Sequence, residues 1–159
     1  MLNKYIAVFL CSILFSYSAL AGSQNDAAAL VTQMYKDYAF EAVIVSPFDS
    51  SDSLINATPE VLSKYFDEQL VSAIVKDRSC GNAICNLDFN PIWDSMDPSG
   101  ASVVVKGTKN PEVVLVEVIY FNGKGVLTYR LKNTSAGWRI IDVDTYKGSL
   151  IRVLSKPID

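Results

Sequence analysis

Residues 113–144, VVLVEVIYFNGKGVLTYRLKNTSAGWRIIDVD, determine the fold class of this 159-residue chain. Three segments within them are rich in β-branched and aromatic side chains and are separated by turn residues: 113–121, 126–131 and 138–143. A fourth segment of the same kind, 102–106, precedes a turn signal at 109–111. Strands joined by short turns predict an antiparallel sheet of about four strands.

The lengths of the two later turns predict which residues face each other. A four-residue loop at 122–125 pairs Glu117 with Arg130, and a five-residue loop at 133–137 pairs Arg130 with Ile140. Because side chains alternate between the two sides of a strand, the sheet divides into two faces. The inner face is predicted to hold Val114, Val116, Val118, Tyr120, Leu127, Tyr129, Leu131, Arg139, Ile141 and Val143. The outer face is mixed and holds Leu115, Glu117, Ile119, Phe121, Thr128, Arg130, Lys132, Trp138, Ile140 and Asp142.

Two amphipathic helices are predicted ahead of the strands. Apolar residues recur at spacings of three and four over 26–45, and Glu41 belongs to the opposite, polar side. A loop at 46–56 leads to a second helix, with the Thr58 hydroxyl as its N-cap and Pro59 at its first position. The apolar stripe of this helix is Leu62, Tyr65, Phe66, Leu70, Ala73 and Ile74. Helices followed by antiparallel strands predict an α+β domain with the helices packed on one face of the sheet.

The N-terminal residues have the pattern of a secretory signal peptide. One positive charge at Lys4 precedes an apolar run, and the small-residue triplet 19–21 follows it. The run reaches about fifteen residues, short of the roughly twenty that a spanning helix needs. We therefore expect cleavage after Ala21, a single domain at 22–159 with no stable membrane anchor, and a periplasmic or secreted location.

The composition excludes several classes of function. The net charge is −3, and −4 without residues 1–21, because that segment contains one of the 14 basic residues and none of the 17 acidic ones. An acidic chain without a basic cluster does not suit nucleic acid or anionic lipid. The chain has no histidine, which excludes Ser-His-Asp and Cys-His catalysis and the commonest zinc sites.

Cys80 and Cys85 are the two cysteines beyond the signal peptide. In an exported chain we expect them to form a disulfide, since a redox motif is normally C-x-x-C and a zinc site would need two more ligands. The acidic and amide residues that follow, at 88–97, lack the ligand spacing of a calcium loop because Pro91, Ile92 and Trp93 interrupt it. The sequence predicts no metal and no cofactor.

Glu117 interrupts the run VVLVEVIYF and allows two interpretations. It could pair with Arg130 and discourage aggregation at the sheet edge, for about 0.2–1 kcal/mol. Alternatively, it could form the polar centre of a surface for a protein partner or a second copy. The candidate residues of that surface are Glu117, Phe121, Arg130, Trp138 and Asp142.

Two other functions remain open from the residues. A small apolar ligand could bind between helix and sheet, in a pocket whose candidate residues are Met34, Tyr35, Tyr38, Phe66 and Tyr129. An enzyme could use carboxylate acid/base chemistry around Glu117 and Asp142, if their pKa values are shifted.

Three segments carry a resemblance to a known family: YFDEQL at 65–70, DFNPIWDSMDP at 88–98 and GWRIIDVDTYKGSLIRVL at 137–154. Together they resemble a bacterial envelope family known as domain of unknown function 3828, which is similar to the nuclear transport factor 2-like superfamily. The resemblance implies a cone in which a long helix packs into a curved antiparallel sheet. That superfamily includes enzymes, binding modules and protein inhibitors, so the fold does not select a function. Small size, export, a disulfide and acidic charge favour a non-catalytic binding protein of the immunity or inhibitor type.

Overall fold

The computed structural model describes residues 23–43, 52–80 and 85–157. The predicted signal peptide and most of the predicted loop at 46–56 lie outside these ranges. The described residues form an α+β fold with four helices and one antiparallel sheet, which confirms the predicted class, but the sheet has five strands rather than about four. The elements are α1 (Ser23–Asp37), α2 (Pro59–Leu62), α3 (Glu68–Asp77), β1 (Ser102–Gly107), β2 (Val113–Tyr120), β3 (Gly123–Thr134), β4 (Gly137–Thr145), β5 (Gly148–Ser149) and α4 (Leu150–Leu154). Among the described helices, none has the length and apolar content that crossing a membrane requires.

The sheet has the strand order β1-β2-β3-β4-β5, with every neighbouring pair antiparallel. Its fifth strand begins after a tight turn with Gly148, whose φ of 94° is a conformation that glycine adopts without steric cost. The buried α1 residues Ala27, Val31 and Met34 belong to the same core as the inward side chains of the strands. This packing covers one face of the sheet.

The β2–β3 hairpin corrects the predicted register. Tyr120 pairs with Gly123, so the loop has two residues rather than four, and Glu117 pairs with Val126 instead of Arg130. Two-residue hairpin loops are the commonest kind because their twist matches that of the strands. The shift in pairing is four positions, an even number, so each side chain stays on its predicted face. Val114, Val116, Val118, Leu127, Tyr129 and Leu131 are all buried.

A β-bulge in β4 corrects the second register. Leu131 pairs with Ile140 and Arg130 pairs with Asp142, so Ile141 is an additional residue on β4. The turn before Trp138 also has two residues rather than five, because Thr134 pairs with Gly137, and this odd shift exchanges the predicted sides of Trp138, Arg139 and Ile140. Ile140, predicted on the outer face, is fully buried, whereas Ile141, predicted on the inner face, is half-buried.

The second predicted helix is two helices, α2 and α3. The chain between them pairs with β4: the Asp67 N–H donates to the Ile140 carbonyl at 2.9 Å, and the Ile140 N–H donates to the Tyr65 carbonyl at 2.8 Å. A new helix then begins with Asp67 as its N-cap, accepting from the Leu70 N–H at 3.0 Å. Thr58 is the N-cap residue of α2 and Pro59 is its first residue, as predicted, but the Thr58 hydroxyl makes no capping hydrogen bond.

α1 also ends earlier than predicted. Its last residue is Asp37, and a 3₁₀ turn over Ala39–Ala42 follows. The change of helix type rotates the side chains that come after it, because a 3₁₀ helix has three residues per turn rather than 3.6. Glu41, predicted on the solvent side, is consequently buried.

The Cys80–Cys85 disulfide is confirmed, with the two Cα atoms 5.5 Å apart. The chain that leaves it is held by the buried Asp77 at the end of α3. One carboxylate oxygen of Asp77 accepts from the Asn86 N–H at 3.0 Å and the other accepts from the Leu87 N–H at 2.9 Å. The disulfide and Asp77 thus fix the start of the long connection from α3 to β1.

Candidate functional site

Glu41 is the central hydrogen-bond acceptor beside the connection from α3 to β1. Its side chain is 2% exposed, and it accepts from the Trp93 indole N–H at 2.6 Å, the Asn90 amide at 2.7 Å and the Leu54 N–H at 2.8 Å. A buried carboxyl group needs such partners, because removing it from water without them is costly. Glu41 therefore joins three separate segments of the chain.

The 88–98 segment packs against α1 and the sheet. Trp93 is buried and lies edge-on against Tyr35, with ring centroids 5.3 Å apart. Tyr120 donates its hydroxyl hydrogen to the Trp93 carbonyl. Asp94, at φ 54°, accepts from the Tyr146 N–H at 2.9 Å, and burial raises the pKa of its carboxyl group. The segment is thus built around the buried Trp93.

A cleft of about 520 Å³ lies between these segments. Its described lining includes three acidic and six apolar side chains and no lysine or arginine. The lining residues are Glu41, Val43, Ser53, Ile55, Asn56, Leu87, Asp88, Phe89, Asn90, Met96, Asp97, Pro98 and Ser99. Val43 and Met96 are 52% and 79% exposed, so apolar surface of the cleft is open to solvent.

The two exposed carboxylates of the cleft are ionised at neutral pH. The Ser99 side chain and backbone N–H lower the pKa of Asp97, and the N–H donates at 2.9 Å. Hydrogen bonding to Lys147 lowers the pKa of Asp88. Asp97 therefore presents negative charge next to apolar side chains, whereas the charge of Asp88 is compensated by Lys147.

Lys147 shows how a cation binds at this end of the cleft. Its ammonium group is paired with Asp88 and lies 5.1 Å from the ring centroid of Phe89 and 5.6 Å from that of Tyr146. A carboxylate together with aromatic faces is a favourable setting for an ammonium or guanidinium group. The chain thus recognises one of its own cations with two residues that line the cleft.

The five residues predicted as a partner surface do not form one patch. Arg130 and Asp142 are brought together, with 3.1 Å between the guanidinium and the carboxylate. Glu117 pairs with Lys106 at 2.8 Å and lies near Lys124 at 3.9 Å, so its predicted pairing with Arg130 was wrong.

The other three have different environments. Phe121 is fully exposed in the β2–β3 turn, whereas Trp138 is half-buried against the core. Asp142 is buried and accepts from the Ser149 hydroxyl at 2.7 Å and the Ile151 N–H at 3.1 Å, which holds β5 and α4 against β4.

The five predicted pocket residues lie in or beside the core. Met34, Phe66 and Tyr129 are at most 1% exposed. Tyr35 is hydrogen-bonded to the Tyr129 hydroxyl at 2.8 Å and donates to the Ile92 carbonyl.

Tyr38 is half-buried, with its ring centroid 6.2 Å from that of Tyr65. None of the five predicted pocket residues is among the described lining of the cleft. The described residues also contain no group of three or more Cys, Asp or Glu side chains arranged to hold a metal ion.

Sequence reasoning missed Glu41 because the predicted helix continued through it. The indole N–H of Trp93 could have indicated it, since a buried tryptophan usually donates to an acceptor.

In comparisons with known proteins, the chain matches no family model, no curated protein and no solved structure.

Proposed function

We propose that this chain is an exported, non-catalytic binding protein that recognises a basic segment of another protein in the cleft between Glu41 and Met96. One observation carries the proposal: the cleft combines three acidic and six apolar side chains with no basic residue in its described lining. Lysine and arginine match this combination, because each has an apolar stem and a cationic end. The pairing of Lys147 with Asp88 and Phe89 is an example of the same recognition within the chain.

The size and exposure of the cleft support a protein partner. Its volume lies within the range of about 300–1,000 Å³ that is common for binding pockets. Val43 and Met96 extend the apolar lining to the solvent, where a partner larger than one side chain could cover them. The acidic net charge would attract a basic partner from a distance.

Two observations support an exported, non-catalytic protein. The disulfide fits a periplasmic or extracellular location, where thiols are oxidised. The carboxylates considered for catalysis are engaged, Glu117 with Lys106 and Asp142 with Arg130 and Ser149. An immunity-type inhibitor of a basic toxin is the partner relationship that fits these properties.

We also propose that the fold is a nuclear transport factor 2-like cone. The contacts of α1 with β1, β2 and β4 support this architecture, as does the bulge at Ile141, because a bulge bends its strand.

The experiment compares the wild-type chain with Asp97→Lys as bait in an envelope extract. A matched control, Glu112→Lys, makes the same charge change outside the described lining of the cleft. We expect a partner that is retained by the wild type and the control, lost by Asp97→Lys, and released as salt rises. Equal retention by all three baits would reject the cleft as the site.

A further inference from the structure

The turn between β4 and β5 places a cation on two residues that line the cleft. The Lys147 ammonium group is paired with Asp88 and lies 5.1 Å from the ring centroid of Phe89. The ring of Tyr146 lies 5.6 Å from the same ammonium group and is edge-on to Phe89, with an angle of 67° between the ring planes. One carboxylate and two aromatic rings thus surround a single position, which we call the Asp88 subsite.

The backbone of this turn is held without the help of the Lys147 side chain. The Tyr146 N–H donates to Asp94 at 2.9 Å, and the Lys147 N–H donates to the Thr145 hydroxyl at 3.2 Å. A lysine side chain is a flexible stem of four carbons. The ammonium group can therefore leave the subsite by rotation of side-chain bonds alone, with no change in the backbone.

The contacts that hold Lys147 are weak enough to be exchanged. The side chain of Asp88 is 52% exposed and that of Lys147 is 30% exposed. An ion pair so open to water contributes little, and an exposed contact between a cation and an aromatic ring adds a similar amount. Together the two contacts favour the occupied subsite by a factor of about ten.

We propose that the Asp88 subsite binds an arginine side chain of the basic partner, and that Lys147 occupies the subsite in the free protein and competes with that arginine. This inference rests on the proposed function, because it assigns one basic side chain of the partner to one end of the cleft. Asp88 and Phe89 belong to the lining of the cleft, so a chain that lies in the cleft can reach them.

Arginine suits the subsite better than lysine does. A guanidinium group is planar, so it can lie flat on an aromatic ring and still direct two N–H groups at the Asp88 carboxylate. An ammonium group is a strongly hydrated point charge, which makes the ionic contact without the flat stacking. An arginine can therefore replace Lys147, whose charge then moves into water.

Lys147 sets a threshold for binding at this end of the cleft. While it occupies the subsite, its charge compensates that of Asp88. An incoming side chain gains only the difference between its own contacts and those of Lys147. Removing the Lys147 charge should therefore strengthen binding, which is the opposite of the usual effect of removing a side chain from a binding site.

The test titrates N-acetyl-L-arginine amide into the chain expressed from its full-length sequence and follows the ring signals of Phe89 and Tyr146 by NMR. Lys147→Met keeps an unbranched apolar stem without the charge and should bind this probe about tenfold more tightly than the wild type. Lys147→Arg is a stronger competitor and should bind the probe more weakly than the wild type. The gain of Lys147→Met should be lost when Asp88→Asn is added.

Lys106→Met is the matched control. Lys106 is also an exposed lysine paired with a carboxylate, Glu117 at 2.8 Å, and it lies outside the described lining of the cleft. This variant should bind the probe as the wild type does. No binding of the probe to Lys147→Met, equal binding by Lys147→Met and the wild type, or a gain that survives Asp88→Asn would each overturn the proposal.

The outcome is separable from that of the proposed function, because the probe needs no partner. If Lys147→Met gains affinity for the probe but the envelope extract yields no partner, the proposed function fails and the arginine subsite stands. If a partner is retained through Asp97 but Lys147→Met binds the probe no more tightly than the wild type, the subsite alone is rejected.

Discussion

Replacing Glu41 by glutamine should destabilise the fold although the side chain keeps its size. One carboxyl oxygen of Glu41 accepts from both Trp93 and Asn90, and the other accepts from the Leu54 N–H. An amide has one oxygen and one NH₂ group, so it can satisfy at most one of these two sides. In its better orientation, the glutamine NH₂ would point at the Leu54 N–H, which also donates.

The expected loss of stability in Glu41→Gln follows from the hydrogen bond to the Leu54 N–H that the glutamine cannot make. A buried donor left without an acceptor costs about 1–3 kcal/mol, so Glu41→Gln should lower the free energy of unfolding by that amount. Glu41→Ala leaves all three donors without this acceptor and should cost about 3 kcal/mol or more. These losses are a large part of the roughly 5–15 kcal/mol that stabilises a typical domain.

Urea unfolding followed by tryptophan fluorescence measures both variants, since Trp93 itself reports on the site. Glu112→Gln, an exposed substitution of the same type in the turn before β2, is the control and should change stability by less than about 0.5 kcal/mol. If Glu41→Gln were as stable as the control, the hydrogen bonds of Glu41 would not be what holds the three segments together.

Reduction of the Cys80–Cys85 disulfide should lower the free energy of unfolding by about 2 kcal/mol, because the disulfide restricts the unfolded chain by closing a short loop. Urea unfolding with and without reductant measures this difference. Lys147→Ala should raise the pKa of Asp88 towards its ordinary value, as followed by NMR titration. In the wild type, this pair should stabilise the fold above the ordinary aspartate pKa and lose its effect as pH falls through the lowered one. Asp142→Ala should cost about 3 kcal/mol in urea unfolding, because buried donors lose their acceptor.

The alternation of side chains predicted the two faces of the β2–β3 hairpin correctly despite a wrong loop length. Glu117 stayed on the outer face because the register error was four positions, and an even error does not exchange the faces. The fold class was predictable for the same reason: periodicity depends on local burial and not on the pairing of particular residues.

The elements that depend on distant contacts were not predictable. Ile140, next to the bulge at Ile141, turns inward, and its backbone hydrogen-bonds to Tyr65 and Asp67, more than seventy residues earlier in the chain. The same contacts divide the predicted second helix. The burial of Glu41 likewise depends on Trp93 and Asn90, which no local pattern around residue 41 indicates.

The backbone contact between the 65–67 segment and Ile140 has a consequence for the order of folding. α2 and α3 precede the sheet in the chain, yet residues 65–67, which connect these two helices, hydrogen-bond to the late strand β4. Closing so long a loop is entropically costly before other contacts form, and such non-local pairings slow folding. During synthesis the helices would emerge well before this partner strand, so the hydrogen bonds between residues 65–67 and Ile140 should form last.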